Sequence, residues 1–521
     1  MTRPFSVKPG VLEGQTLKGH HKVSCDVCIV GSGAGGSIAA ATLQKAGLHV
    51  VVLEEGGYFT KSRFRMNEED TYVNLYQEGG QRVTKDLSVS IYQGRAVGGG
   101  TVVNWTTCFR LPEEVLEHWK TKHGVSNLSY HDLEPHFAAV EERLNINKIP
   151  LENINRNNRI LYDGCKSLGF QVDTLNRNVQ GCARTGYCGM GCPLDAKQSM
   201  LVTYLPDAMD HGATIISRCR VTSLEMSAGE ISGVKASLLT AQGNQETGAT
   251  VEVQAKRYIL SAGAINSPGL MLRSGAPNQN GMVGRRTFLH PVVACIGIYE
   301  DPVYAYYGAP QGAASHHFAH RGDDVGYFLE AVPTHPLLAS TAVPGFGKSH
   351  RQFMENLPHV AGQIALAIDG FHDDVPGGQV KLNSDGKPVL DYEIAPKVWS
   401  AFRDAHKNLA RILLTTGAKQ VLTGHENVSP LSTMTDLKRL DELPYGPHHV
   451  YSASAHQMGG SLMSDNPAHG VVRSGDMRHH QLKNLHILDG SVFPTSLGVN
   501  PQLSIYGVCS LAATQIAQSW S

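Results

Sequence analysis

The sequence predicts an α/β protein: a Rossmann-like dinucleotide-binding domain joined to a second, substrate-binding domain built on antiparallel sheet. Three observations predict it. A short apolar strand, Cys25–Asp26–Val27–Cys28–Ile29–Val30, runs straight into the glycine-rich turn Gly31–Ser32–Gly33–Ala34–Gly35–Gly36. A β-branched run follows and ends on an acid, Glu54. Far downstream, residues 291–452 carry aromatic, histidine-rich and alternating stretches such as Gln379 to Tyr392, the period-2 pattern of strands with one buried face.

In chain order, Gly31 permits the tight turn, Gly33 lets backbone N–H groups approach a pyrophosphate, and Gly36 lets the next helix pack closely on the strand. That helix is predicted over Ser37 to Ala46, with Ala39, Ala40 and Ala41 suited to close packing and Gly47 as its stop. His49 to Leu53 reads as the second parallel strand. Glu54 stands about 20 positions past the glycines, where a carboxylate accepts hydrogen bonds from ribose hydroxyls and disfavours a 2′-phosphate. A glycine turn alone is weak evidence; strand, turn, helix, strand and acid in order are a dinucleotide site.

Composition narrows the partners. The 521 residues suffice for two domains or one large composite domain. Lys+Arg 45 against Asp+Glu 46 leaves a formal charge of −1, and no basic run marks a nucleic-acid surface. A small neutral substrate is the natural partner. Met1 to Val23 is polar and lacks the apolar centre of a signal peptide, and no stretch approaches the ~20 apolar residues of a membrane span. A cytoplasmic protein without a transmembrane segment is expected. Ten cysteines in a chain of this length, most of them scattered, make no disulfide scaffold.

Further along, Gln93–Gly94–Arg95–Ala96–Val97–Gly98–Gly99–Gly100–Thr101–Val102–Val103–Asn104–Trp105 is a second glycine-rich loop, too crowded for an ordinary turn and expected against a ligand. Ala255 to Leu260 is a predicted strand running into Ser261–Ala262–Gly263–Ala264–Ile265–Asn266–Ser267–Pro268, then an apolar helix from Gly269 to Arg273. Leu485 to Leu488 repeats the pattern of strand and polar turn with Asp489–Gly490–Ser491–Val492–Phe493–Pro494, and a final helix is expected from about Gln502 to Trp520. The aromatics Tyr304, Tyr306, Tyr307, Phe328 and Phe346 are read mainly as core of the second domain.

Together these blocks resemble the glucose–methanol–choline (GMC) family of flavin-dependent oxidoreductases almost end to end. Four motifs stand in the family's order: the Gly31–Gly36 turn with Glu54, the Gly94 to Asn104 loop, Ser261 to Pro268, and Asp489 to Pro494 followed by Asn500–Pro501. Ala196–Lys197–Gln198–Ser199 and Ser454–Ala455–His456–Gln457–Met458–Gly459–Gly460 have the flavour of the long-chain alcohol oxidase and bacterial alcohol dehydrogenase branch. The resemblance implies FAD rather than NAD, in a discontinuous domain of the GMC type over 1–110, 195–290 and 453–521. A connecting region over 111–194 and a substrate-binding domain over 291–452 complete the division. It further implies cofactor contacts at Gly31 to Gly36, Glu54, Glu55, Arg95, Gly98, Gly99, Gly100, Thr101, Asn104, Val221, Ala262, Gly263, Asp489, Gly490, Asn500 and Pro501. No histidine lies between Gly98 and Asn104, so the flavin is expected to be non-covalent.

Alcohol oxidation needs the hydroxyl proton removed as hydride leaves carbon for flavin N5, and histidine suits that task near neutral pH. The resemblance places the family's histidine at His456 and its partner at Asn500, giving His456 as general base and Asn500 as the neutral donor to the oxygen. The second candidate for the base is His290, in Phe288–Leu289–His290–Pro291, which is read rather as packing the domain junction. After His456 the family's usual Gly-Thr-x-x-Met-Gly is replaced by Gly460–Ser461–Leu462–Met463–Ser464, which touches only local backbone contacts.

Cys182, Cys188 and Cys192 form C-x5-C-x3-C among glycines, a spacing similar to the cluster-binding stretch of bacterial FAD-dependent glucose dehydrogenases, so that a three-iron iron–sulfur centre on three thiolates is one reading, with no metal ligand assigned. Packed thiols are the alternative. The expected activity is FAD-dependent oxidation of a long-chain or apolar primary alcohol, with oxygen or another electron acceptor as the second partner. The alternatives are a sugar, polyol or sterol dehydrogenase using the cluster, and a non-oxidative lyase or decarboxylase on the same fold.

Overall fold

The computed structural model describes residues 10–426 and 428–520. Residues 1–9 and 521, which the sequence reading assigns to the ends of the cofactor domain, lie outside the described residues. The first sheet is built around β1 (His20–Val30), whose last four residues Val27 to Val30 are buried on both faces. After the glycine turn, α1 (Ala34–Lys45) crosses to β2 (Val50–Leu53), which pairs in parallel with β1, Val27 opposite Val50 and Val30 opposite Leu53. On the other side β3 (Glu246–Leu260) runs parallel to β1, and Leu485–Ile487 lies parallel to its last residues. The strands Gly10–Glu13 and Thr214–Ser217 extend the parallel edge beyond β2, and an antiparallel hairpin, Cys219–Ser227 with Glu230–Leu239, closes the other. Continuous apolar runs in the central strands follow from this burial, since helices cover a parallel sheet.

Some boundaries differ from the predicted ones. α1 begins at Ala34 because the Ser37 N–H closes the first turn on the Gly33 carbonyl. β3 starts well before Ala255; its first half alternates polar and apolar residues with one face in solvent, which hides it from a search for apolar runs. α2 (Gly263–Arg273) starts inside the expected turn and contains Pro268, which donates no bond to Ala264.

The second domain's sheet is centred on β4 (Val292–Ile298), β5 (Tyr327–Val332) and β6 (Val360–Ala367), with β4 and β5 each antiparallel to β6. Its eight strands pair antiparallel except Val89–Ile91 with Ser452–Ser454. Alternate residues face opposite ways. Val293, Cys295 and Ala365 meet the long helix α5 (Pro396–Thr415), whose buried Val398, Phe402, Ala405 and Leu409 form one stripe. On the opposite face, Ile296 and Val360 meet two short helices, α3 (Pro336–Ala342) and α4 (Gly347–Glu355), through Ala339 and Phe353. The hairpin within Gln379 to Tyr392 does form, but in a separate four-stranded sheet with Arg285–Phe288 and Met458–Gly459. The C-terminal helix α6 (Gln502–Gln518) packs on α1.

The aromatics divide. Phe328 is fully buried, but Tyr304, Tyr307 and Phe346 are half or more exposed and do not join the core. They sit in loops around the small α3–α4 cluster, which is too thin to cover them. No helix among the described residues is long and apolar enough to cross a membrane.

Candidate active site

The turn between β1 and α1 opens on a cavity of about 830 Å³, at the large end of the ~300–1,000 Å³ usual for small-molecule sites. Gly31, Gly33 and Ala34 form part of its wall. Gly31 has φ +100°, and a Cβ there would stand 2.3 Å from the Ser261 carbonyl oxygen. On Gly35 a Cβ would come within 1.8 Å of the Leu488 oxygen, and on Gly36 within 2.1 Å of the Gly31 oxygen. These two glycines let backbones meet. Gly33 differs, since the nearest atom to its Cβ would be Gly99 Cα at 3.9 Å. Ser32, Gly35, Gly36 and Gly98 stand behind the wall rather than on it.

Glu54 is buried at the end of β2 and joins the two glycine loops. Its carboxylate accepts from the Ser32 N–H (2.9 Å), the Ser32 hydroxyl (2.7 Å) and the Gly56 N–H (2.7 Å), while the Gly98 N–H donates to the Ser32 hydroxyl (3.0 Å). Burial raises its pKa and these bonds offset part of the rise. Glu55 pairs with Arg95 (3.0 Å) and Arg220 (3.1 Å). Burial pushes its carboxyl up, but the two guanidinium charges outweigh it and hold the group below the usual range. Gly99, Gly100, Thr101 and Asn104 continue the wall, and Asn104 donates to Gln502 (2.6 Å) while its Oδ1 is buried without a partner. Val221, Ala262 and Gly263 close another side. Asp489 accepts from the Gly263 N–H (2.9 Å), the Ser267 hydroxyl (2.6 Å) and the Ser491 N–H (2.8 Å), so the two strand-end turns are tied beside Gly490 and Pro501.

At the other end of the cavity the structure brings His456 and Asn500 together, His456 Nε2 standing 3.5 Å from Asn500 Nδ2. Burial pulls His456 down to about 4, so it is neutral at pH 7. Its Nδ1 lies 3.2 Å from Nδ1 of His290. His290 therefore does more than pack a junction. It is fully buried, and its Nε2 accepts the N–H groups of Leu497 (3.2 Å) and Gly498 (3.0 Å), on the loop that leads to Asn500. Asn500 Nδ2 in turn donates to Glu330 (3.3 Å), a fully buried carboxyl that also accepts from Gln311 (2.6 Å). Burial pushes Glu330 up to about 8, and its Oε1 has no partner.

From this polar pair the cavity continues between the second sheet and the short helices. Ala294, Ile296, Val332, Ile364 and Leu366 form one wall, and Leu338, Ala339, Ala342, Val343 and Phe353 the other. The channel is aliphatic for most of its length because β4, β5 and β6 turn alternate apolar side chains into it.

The description "GMC oxidoreductase" matches residues 72–292 and again residues 374–509, and that of an NAD(P)-binding Rossmann-like domain matches residues 29–67. An uncharacterized GMC-type oxidoreductase of Mycobacterium tuberculosis is 34% identical over 493 residues, 94% of this chain and 75% of its own. The chain belongs to the GMC oxidoreductase family. A long-chain-alcohol oxidase of Arabidopsis thaliana is 28% identical over 526 residues, covering 96% of this chain and 68% of its own. Among solved structures, Aspergillus oryzae formate oxidase superposes with TM-score 0.69 at 16% identity, covering 95% of this chain and 98% of that one. Pyridoxine 4-oxidase from Mesorbium loti gives 0.66 at 17%, covering 95% and 100%. These two likenesses concern the fold. As a GMC oxidoreductase this protein is an FAD-dependent oxidoreductase with a Rossmann-like domain and a second domain on antiparallel sheet.

Of the two readings of the cysteine loop, the iron–sulfur one finds no support. Among the described residues no group of three His, Cys, Asp or Glu side chains stands where it could hold a metal. The three thiols line one small cavity with Lys197, but each has its own partner: Cys182 accepts from the Arg184 N–H (3.4 Å), Cys192 from the Lys197 N–H (3.5 Å), and Cys188 lies 3.7 Å from Arg177 Nη2. What the loop holds instead is Lys197, buried and donating to the carbonyls of Val102, Asn104 and Cys188. It fastens the cysteine loop to the second glycine loop of this GMC oxidoreductase. Sequence reasoning missed Glu330 and the contact of His290 with His456. A signal for Glu330 was available, since Phe328–Leu329–Glu330–Ala331–Val332 places one charge inside an apolar strand; His290 was the second candidate base, but its contact with His456 carries no local signal because the two meet only through the fold.

Proposed function

We propose that this GMC oxidoreductase oxidises a long-chain or otherwise apolar primary alcohol to the aldehyde, using non-covalently held FAD. The observation that carries the reading is the aliphatic channel that ends on the His456–Asn500 pair. A hydroxyl is recognised by two polar side chains while its hydrocarbon lies along the channel, where each buried methylene contributes about 0.8 kcal/mol. The long-chain-alcohol oxidases among the relatives agree with that choice. A sugar would leave most of its hydroxyls against aliphatic wall, at a cost for each unpaired group.

The residues on the wall fit the cofactor. Gly33 and Ala34, at the N-terminus of α1, would hold the pyrophosphate, Glu54 the ribose, and Gly99 to Thr101 the neighbouring part of the molecule. The buried, unpartnered Asn104 Oδ1 offers an acceptor to a ring N–H. When bound, FAD supplies N5 as hydride acceptor, and oxygen or another electron acceptor would complete the cycle. His456 and Asn500 hold the alcohol oxygen. His456 is also the residue expected to act as base, and whether it takes the hydroxyl proton or lends its own depends on which ring nitrogen is protonated.

The test is anaerobic titration of the yellow protein with 1-decanol while following flavin absorbance. Bleaching by decanol but not by glucose is the expected result. Bleaching by glucose alone would overturn the substrate assignment, and a flavin reduced by dithionite but by neither alcohol would overturn it in favour of a sterol, another alcohol or a non-oxidative reaction.

A further inference from the structure

Apart from the large cavity, the cysteine loop borders a second, much smaller one, and we propose that this small cavity binds a monatomic anion of the chloride class. The ion is the counter-charge to two buried cations, Arg177 and Lys197.

The argument starts from charge. Arg177 and Lys197 are 2% and 3% exposed, and both line a cavity of about 20 Å³ together with Cys182, Cys188 and Cys192. Their partners among the described residues are all neutral. Arg177 Nε donates to the Thr106 hydroxyl (2.8 Å) and its Nη2 stands 3.7 Å from the Cys188 sulfur. Lys197 Nζ donates to the carbonyls of Val102, Asn104 (3.1 Å) and Cys188 (2.7 Å). Three carbonyl acceptors on one amine require three N–H groups, so Lys197 is an ammonium ion. No aspartate or glutamate lines the cavity. Asp195, between the lining residues Leu194 and Ala196, pairs with Lys61 instead (3.2 Å). Two buried positive charges with no negative one are strongly destabilising, and proteins normally pair such charges.

The nearest thiol does not supply the missing charge. Burial pushes the Cys188 thiol up, and the attraction of Arg177 and Lys197 offsets only part of the rise, so it stays protonated at neutral pH. The negative charge must then come from solution, and the cavity limits what can enter. Its volume has room for about one water-sized species, which admits a halide and leaves out sulfate, phosphate or a carboxylic acid anion. Arg177 Nη1 donates to no protein atom among the described residues, and the thiol S–H groups are weak donors suited to a soft, polarisable ion. The one other charged side chain on the wall, Arg184, is also a cation.

Lys197 connects this site to the large cavity. The Val102 and Asn104 carbonyls that it holds belong to the second glycine loop, whose Gly99, Gly100, Thr101 and Asn104 stand on the large cavity's wall. An anion that keeps Lys197 charged therefore keeps that loop seated.

The experiment follows melting of the holoenzyme in sodium bromide, with sodium gluconate, too large for the cavity, holding the ionic strength constant. The wild type should show a saturable rise of about 2 °C, the scale of one bound ion, and chloride should reproduce it. Arg177→Met should lose the saturable part and keep any general salt effect. In crystals of wild-type holoenzyme grown in bromide, the anomalous signal of the ion should lie in this cavity. A wild type without saturable dependence on bromide, or an equal rise in Arg177→Met, would overturn the proposal. If the variant does not fold, the bromide crystal decides alone, and a water with no anomalous signal would overturn it. So would another counter-charge: an ultraviolet thiolate band at neutral pH that Cys188→Ser removes, or iron with visible absorbance in anaerobically purified protein.

Discussion

The two ends of the cavity are built from different materials. At the end lined by the glycine turns the wall is mostly backbone, and the charged side chains, Glu54, Glu55 and Asp489, hold loops together. At the other end the wall is side chain, with a row of polar groups, His290, His456, Asn500, Glu330 and Gln311, whose members depend on one another for orientation. Backbone geometry is imposed by glycines at fixed spacing, so it can be damaged by one added carbon. A side-chain row is assembled by tertiary structure, so its damage appears first in chemistry.

The sharpest way to break the comparison lies within one turn. Gly35→Val should abolish a foldable flavoprotein, since the first added carbon already overlaps the Leu488 oxygen at 1.8 Å and overpacking of this kind costs about 3 kcal/mol or more. Gly33→Ala should fold, because its added carbon has 3.9 Å of clearance, yet bind FAD more weakly because that carbon enters the wall. Flavin per polypeptide and the melting temperature of each purified variant separate the two. Equal loss of fold in both would show that Gly33 is a packing glycine as well.

The same contrast explains what was legible. The glycines and Glu54 are read from order and spacing because a βαβ unit that cradles a phosphate needs small residues at those intervals, whereas Asp489 was placed by a family motif. Asn500 and His456 were found only through family motifs, 44 positions apart in sequence. Glu330 and the contact of His290 were not found, because partners 166 and 170 positions apart carry no local pattern. The channel was hidden for another reason. Val292, Ala294 and Ile296 are ordinary strand residues, and only α3 and α4 on the far side turn their face into a wall.

That wall gives the next prediction. Across a series of primary alcohols, kcat/KM should rise about fourfold per methylene, from ~0.8 kcal/mol for each buried CH₂, until the channel is filled. Ala294→Phe should shorten the rise, lowering the ratio for decanol over butanol by about tenfold or more while FAD stays bound. A ratio unchanged by this substitution would place the chain elsewhere.

A smaller effect concerns the polar row. With Glu330 pushed up to about 8 by burial against an ordinary 4.5, the native state keeps a proton that the unfolded chain has lost. Native stability should therefore fall as pH rises from about 4.5 to about 8 and level off above that, by a few kcal/mol at most from this group. Glu330→Gln, neutral at every pH, should remove that slope and be the more stable protein at pH 8. Urea unfolding of both holoenzymes across the range checks it, and parallel curves would show that Glu330 is ionised in the native protein.

The smallest effect should come from the cysteine loop, where sequence spacing and structure part company. Cys182 is half-buried and accepts one backbone N–H at 3.4 Å, so Cys182→Ser should change stability by no more than about 0.5 kcal/mol and leave the visible spectrum and alcohol-dependent reduction untouched. Lys197→Met should do more harm, because three carbonyls lose their cation and two of them belong to the glycine loop on the cavity wall. If the loop served a metal the order would reverse, with the serine variant losing absorbance and iron from anaerobically purified protein. Comparing the two variants thus asks whether three closely spaced thiols matter here through their sulfurs or through the lysine they surround, and the geometry favours the lysine.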